Sequence, residues 1–459
     1  MLIDLTKSID DKILLPNPHK GWYIHYVDNG LCRTTYRDGI AEGDFLEDFP
    51  GLNHLYLRLD WSDIEPTEGE FDWSFVDSVF ASWGAKGYRF SFRFCCFETS
   101  TPYATPEWVR LAGAKGSFIE RGGASASKPL WEPDYGDPVF LEKLNAFLGR
   151  CAEKLDGHPL VEFVDVGSFG TWGEGHTFFG SGKAYSADVL RRHIDLHLKH
   201  FVRTPLLLND DICNTAKIGG ASSFAPDGDG SARALAEYCA AKGMGARDDS
   251  VCVDFFSHSF GYDTLRSPGF FDYFARYGAP VDIELQHYHM VGPEVMKSCL
   301  PFLEALKRSH ASFAGFHGYP RPWLEKFRDF TEYAANRMGY WYFLTALDLP
   351  ECVSGLKSIA GLHVENRGFA PAYRPYTLKL RAVGDGGEYP LHSSDGLNLG
   401  WVGEHIERLT LDFAGVPAGE YELQLGLFDG DIPIRFAMRE SEYVSGWHRL
   451  AKISVSDIG

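Results

Sequence analysis

Two glutamates stand out by their settings. In "GSFGTWGEGH" (167–176), Glu174 is the lone carboxylate among glycines and two aromatics, Phe169 and Trp172. In "VDIELQH" (281–287), Glu284 sits inside a run that otherwise reads as a buried strand. An unpaired carboxylate there would cost several kcal/mol, so Glu284 needs a partner or a purpose; Arg58 and Gln286 are the candidate partners. Two carboxylates facing each other across a cleft are what glycosidic bond cleavage requires. One must be protonated to expel the leaving oxygen, and the other ionised to attack the anomeric carbon or activate water. An apolar, poorly hydrated setting raises the pKa of the acid, and nearby positive charge or donors keep the second group ionised. The glycines permit tight turns that lift Glu174 above its strand, Trp172 and Phe169 supply an apolar wall, and His176 tunes its proton. The plainer alternatives are a Gly-rich turn with a solvated Glu174 and a purely structural Glu284–Arg58 pair.

The elements that must position these groups are legible as short β-branched and aromatic runs. Eight occur: 21–27, 54–61, 88–98, 161–169, 204–210, 250–258, 281–287 and 312–318. Between the fourth and fifth, "SADVLRRHIDLHLKHF" puts Leu190, His193, Ile194, His197, Leu198 and Phe201 on one helical face, with Ser186 as N-cap. A second helix is expected in "DWSFVDSVFASWGAKG", ending on glycine. Eight strands alternating with helix-sized segments predict an α/β fold, a (β/α)8 barrel over residues 1–337. From 338 to 459, alternating stretches such as "YTLKLRAV" and "YELQLGLFDG" predict a small antiparallel β-sandwich. The long Gly-, Ser- and Pro-rich loop at 113–138 is expected to roof a cleft.

A barrel of this kind works at the carboxyl ends of its strands. Those ends carry Arg58, Asp60 and Trp61, then Arg93 and Glu98, then Glu174, then Asn209, Asp210 and Asp211. His258, Glu284, Gln286, His287, His317 and Tyr319 complete the set. Trp61, Trp172, Tyr288 and Tyr319 are the candidate sugar platforms. Arg58, Arg93, His176, Asn209, Asp211, His258, His287 and His317 are the candidate substrate contacts. About half of these polar groups are expected to form structural ion pairs.

Residues 57–94, "LRLDWSDIEPTEGEFDWSFVDSVFASWGAKGYRFSFRF", resemble the second-strand region of clan A glycoside hydrolases. Those are (β/α)8 retaining glycosidases that include the β-galactosidase and cellulase families. The resemblance implies acid/base chemistry at Glu174, nucleophilic chemistry at Glu284, and an Arg58 that orients and charges the nucleophile. One departure is clear. Those enzymes carry Asn before the acid/base to hold the sugar 2-hydroxyl, and here the position is Gly173. Asn209 is a candidate to supply that contact. The tail, from "GYWYFLTALDLP" to "GLHVENRGFAPAYRPYTLKLRAV", is similar to the C-terminal sandwich of uncharacterised bacterial glycosidase relatives.

Composition narrows the partners. A formal net charge of −19 repels phosphate backbones and anionic membranes, so nucleic acid and membrane surfaces are not expected partners. The aromatic fraction of 15% suits a carbohydrate partner, because aromatic faces stack on sugar C–H faces, although most aromatics fill cores. Nine cysteines without CxxC spacing read as reduced thiols. The N-terminus shows no basic segment followed by an apolar run, which gives a cytoplasmic expectation, and self-association into a homo-oligomer is left open. No cofactor is expected. Two other functions compete with hydrolysis: a carbohydrate-binding barrel without turnover, and a metal-dependent barrel enzyme using Asp210, Asp211, His258, His287 and His317. The second lacks an HExxH motif.

Overall fold

The computed structural model describes residues 1–31, 36–120, 128–214, 230–252, 265, 268–291, 293–350, 352–353 and 355–456. The chain divides into two compact units, Trp22–Phe330 and Met1–Gly21 together with Thr331–Gly459.

Eight parallel strands close the barrel of the first unit. In chain order they are β1 (Gly21–Val27), β2 (Leu52–Asp60), β3 (Arg89–Cys95), β4 (Val161–Asp165), β5 (Leu206–Asn209), β6 (Gly245–Val251), β7 (Val281–Leu285) and β8 (Phe313–Phe316). All eight coincide with or overlap the runs read from sequence. The sixth is displaced, because the strand covers "GARDDSV", which begins before the expected 250–258. Residues 253–260, and His258 with them, lie outside the described residues.

The helices follow local sequence rules. Asp137 caps the helix Pro138–Leu155: its Oδ1 accepts from the backbone N–H groups of Val139 and Phe140 at 3.0 Å each, and proline fills the first helical position. That helix buries Phe140, Leu144, Phe147, Leu148, Cys151 and Leu155 at three- and four-residue spacing. The helix expected after Ser186 spans Ala187–His200 and buries Leu190, His193, Ile194 and His197. Ser186 stands at its N-cap without a side-chain cap bond. The 113–138 segment contains a two-stranded antiparallel ribbon, Gly116–Ile119 against Leu130–Pro133, with residues 121–127 outside the described ones. Cys95 and Cys96 are buried free thiols. Among the described residues no helix is long and apolar enough to cross a membrane.

The second unit is two β-sheets. One holds Leu2–Asp4, Tyr342–Asp348, Lys357–Asn366 and Gly403–Asp412; the other is built around Thr377–Gly384, Gly387–Asp395, Gly419–Asp429 and Trp447–Val455. Alternating residues of both, among them Leu362, Val364, Leu378, Leu380, Leu423 and Leu425, enter one buried cluster, the packing of a sandwich. Leu2–Asp4 pairs antiparallel with Tyr342–Asp348, which is why the N-terminus belongs to this unit.

Candidate active site

Glu284 lies on β7 with no exposed surface. Its arginine and histidine neighbours converge from three other strands or their ends. Arg247 of β6 donates through Nη2 to Oε2, His25 of β1 places Nε2 at 2.9 Å from Oε2, and His317, just after β8, places Nε2 against Oε1. Burial by itself would raise this carboxyl, yet His317, His25 and Arg247 together hold it well below the ordinary glutamate range. Both expected partners are therefore corrected. Arg58 pairs elsewhere, and the Gln286 amide points to the Cys252 carbonyl at 3.5 Å.

Glu174 follows β4 through a turn with little freedom. Gly170, Gly173 and Gly175 have φ of 87°, 71° and 87°, and Trp172 itself has φ 57°. A non-glycine residue at positive φ is costly unless its surroundings fix it. Here the Trp172 N–H donates to the Phe97 carbonyl at 2.9 Å and its Nε1 donates to Thr99 Oγ1 at 3.0 Å. The turn does not lift Glu174 into water: the residue is 8% exposed, which excludes the solvated alternative. Arg58 Nη1 lies 3.3 Å from Oε1, Arg93 Nη1 3.9 Å from Oε1, and His176 Nε2 3.4 Å from Oε2. Burial first, and the charge of Asp249 second, raise the Glu174 carboxyl above its ordinary value against the opposing pull of His176 and Arg58. His176 Nδ1 accepts from the Phe178 N–H at 3.2 Å, so the ring proton of a neutral His176 sits on Nε2, toward Glu174. Trp172 forms a wall beside this pair, 4.9 Å from Phe179. Phe169 packs away from it, on Tyr135 at 4.6 Å.

Two chains of ion pairs join the carboxylates. The first runs from Glu174 to Arg58, from Arg58 Nη2 to Asp28 Oδ1 at 2.7 Å, from Asp28 Oδ2 to His317 Nδ1 at 3.2 Å, and on to Glu284. The second runs from Glu174 to Arg93, from Arg93 Nη2 to Asp249 Oδ2 at 2.8 Å, from Asp249 Oδ1 to Arg247 Nε at 2.8 Å, and on to Glu284. Strand register makes this arrangement obligatory. Arg58 and Arg93 are direct neighbours across β2 and β3, so two cations share one level of the barrel and need anions from other strands. Asp165 and Asp249 supply them to Arg93. Asp249 in turn neighbours Glu284 across β6 and β7. His317 sits between two carboxylates and stacks between His25 at 4.3 Å and His287 at 4.7 Å. Burial opposes its charge, but Glu284 and Asp28 push His317 up to about 10, while burial pushes His25 and His287 down to about 4.

The remaining candidates divide. Asn209 and Asp211 are buried at the end of β5; the Asn209 amide donates to Asp249 and its Oδ1 accepts from the Asp211 N–H at 2.9 Å. Asp211 groups with Glu174 and His176. His287 and His317 both face Tyr36, whose hydroxyl is 3.1 and 3.3 Å from their Nδ1 atoms. Tyr319 is 42% exposed and stands edge-on to Tyr36 at 5.8 Å. Trp61 is not brought to the site, because its ring stacks on Phe147 at 4.8 Å and its Nε1 donates to Glu65. Tyr288 packs against Trp323 and Phe316, away from the charged cluster. Sequence reading missed His25, Asp28, Tyr36, Asp165, Arg247, Asp249 and Asp282. The available signal was "GARDDSV" itself, three charges in a short run directly before an apolar stretch.

Among the described residues two groups bring three metal-ligating atoms within 4.8 Å of one another: Glu174, His176 and Asp211, and His25, Asp28 and His317. Most of their imidazole nitrogens are engaged, though His25 Nδ1 makes no hydrogen bond among the described residues. His176 Nε2 carries the proton toward Glu174, and both nitrogens of His317 face carboxylates. Of the expected metal set, His258 lies outside the described residues, and among the described residues Asp210, Asp211, His287 and His317 do not group with one another.

No family model and no curated protein matches the chain. Similar solved structures include a GH10 protein from Paenibacillus barcinonensis, 15% identical, covering 66% of this chain and 84% of that one with a TM-score of 0.39. Native xylanase 10B from Thermotoga maritima is 11% identical over 67% of this chain and 86% of that one, TM-score 0.39. The endo-β-1,4-mannanase from Thermotoga petrophila is 11% identical over 99% of each chain, TM-score 0.42.

Proposed function

We propose that this chain is a glycoside hydrolase that works by double displacement with retention, using Glu284 as nucleophile and Glu174 as acid/base. The observation that carries the proposal is one connected cluster holding two buried carboxylates in opposite electrostatic settings. Glu284 is ringed by Arg247, His25 and His317, and Glu174 is shut into an aromatic, glycine-rich turn. In the first step Glu284 attacks the anomeric carbon, the bond to the leaving oxygen breaks, and that oxygen takes the proton of Glu174. In the second, Glu174 takes a proton from water as the water oxygen attacks the anomeric carbon and frees Glu284. Trp172 and Tyr319 are the proposed sugar platforms, and Asp211, His176 and His287 the proposed hydroxyl contacts.

One observation favours a second reading, a carbohydrate-binding barrel without turnover. A Cβ at Gly173 would lie 2.5 Å from the Gly167 carbonyl oxygen, so no asparagine fits before Glu174. The Asn209 amide is already committed to Asp249. Proton NMR on a panel of nitrophenyl β-glycosides separates the two. Hydrolysis with the first-formed product in the β configuration supports the proposal. Binding of an oligosaccharide without any product supports the second reading.

A further inference from the structure

We propose that Asp28 is the positioning residue of this site: its two carboxylate oxygens hold Arg58 against Glu174 and His317 against Glu284, so one side chain outside the reacting pair sets the placement of both. The role assigned to the two glutamates rests on the hydrolase proposal; the placement of Asp28 does not.

The "VDNG" turn that ends β1 is built to fix this carboxylate. Asn29 and Gly30 take φ of 59° and 72° in succession, which turns the chain back over β2. The Gly30 N–H donates to the Arg58 carbonyl at 3.0 Å, and Arg58 Nη2 donates to the Asn29 side-chain oxygen. A Cβ at Gly30 would meet Asp60 Oδ2 at 2.7 Å, so the turn has no room to shift. Asp28 is thus pinned by its own backbone to the strand that carries Arg58. From there Oδ1 meets Arg58 at 2.7 Å and Oδ2 meets His317 at 3.2 Å.

Arg58 alone could swing among anions, since Glu98 lies 3.6 Å from its Nε and Glu174 3.3 Å from its Nη1. Asp28 and Asn29 together take Nη2 and leave Nη1 for Glu174. On the other side, an imidazole hydrogen-bonded only to Glu284 would be free to tilt; with Nδ1 held by Asp28, Nε2 can point only at Glu284. The groups that face His317 are His25 and Asp28 from β1 and its turn, Tyr36 from the segment that follows, and Glu284 and His287 from β7 and its end. Of these, only Asp28 also touches Arg58.

The test is a proton titration of the full-length chain carrying ring-labelled histidine, read by NMR, with His317→Gln to assign the signal. Wild-type His317 is expected to stay protonated well above the ordinary histidine value. In Asp28→Asn, which keeps the shape and removes the charge, its midpoint falls by about one to three units, and Asp28→Glu recovers it. A wild-type midpoint near or below 6.5, the ordinary value, overturns the proposal even if the variants fail to fold. So does an unchanged midpoint in a folded Asp28→Asn. On a glycoside the wild type cleaves, Asp28→Asn lowers kcat about 100-fold with KM little changed; an unchanged kcat overturns the positioning role. No cleavage by the wild type removes the hydrolase proposal, while the titration still decides where Asp28 acts.

Discussion

Glu174 and Glu284 are the same residue type, buried in the same barrel and joined through the same ion pairs, and they are driven in opposite directions. Around Glu284, burial is overcome by an arginine and two histidines in direct contact. Around Glu174, the cations stand farther off, at 3.3 Å and 3.9 Å, and Arg93 spends its strongest contacts on Asp165 and Asp249. Burial then prevails, and the carboxyl is raised. The lesson is that neither depth nor residue type sets the charge state; the sharing of cations does. Three arginines, Arg58, Arg93 and Arg247, serve a larger number of acids, and the geometry decides which acid is left short.

That comparison can be broken at several points. The largest effect is expected from Glu284→Gln, which removes the proposed nucleophile: turnover should fall by about 10^4-fold or more in steady-state kinetics. An active variant would end the assignment of Glu284. Glu174→Ala should cost about 10²- to 10⁴-fold on poor leaving groups and much less on good ones, with azide restoring rate. Equal losses on both kinds of leaving group, without rescue, would remove its acid/base role.

Arg247→Met tests the difference in charge sharing. It strips Glu284, Asp249 and Asp282 of a buried cation, and should destabilise the fold by about 3–5 kcal/mol in chemical denaturation. Arg58→Met should also destabilise, because Asp28 and Glu98 lose the same buried cation, although Arg93 stays beside Glu174. No loss of stability in Arg247→Met would mean that Glu284 is not held by its buried cation.

The smallest expected effect is on the pH dependence of stability. Folded His317 is raised to about 10 from 6.5, so its contribution is full below pH 6.5 and is lost as pH rises toward 10. Folded His25 is lowered to about 4, so its contribution is present above pH 6.5 and is lost as pH falls toward 4. His317 and His25 therefore contribute declines on opposite sides of about pH 6.5, and the alkaline decline in thermal midpoint should be shallower in His317→Gln than in the wild type. An alkaline decline unchanged in that variant would contradict the charge assigned to His317.

Much of this was readable in the chain. β1 follows "GWYIHYV" residue for residue, the helix Ala187–His200 follows its apolar stripe, and Glu174 and Glu284 were singled out by setting and by resemblance. The support for Glu284 was not. "GARDDSV" lies mostly before the run read as the sixth strand, and only closure of the barrel brings Arg247 to Asp282 and Glu284, more than thirty residues onward. His25 reads as an isolated polar residue in an apolar strand, and nothing local shows that His317 will stack on it. Trp61 erred the other way. It stands at a strand end, where platforms are expected, but it opens the short helix Trp61–Ile64 and turns its ring into the helical layer.

The most direct measurement is covalent trapping with a 2-deoxy-2-fluoro glycoside of the sugar the wild type cleaves, followed by peptide mass mapping. The label is expected on Glu284, with none in Glu284→Gln. A label on Glu174 or any other residue, or product of inverted configuration without a trapped ester, would contradict the assignment of the two carboxylates.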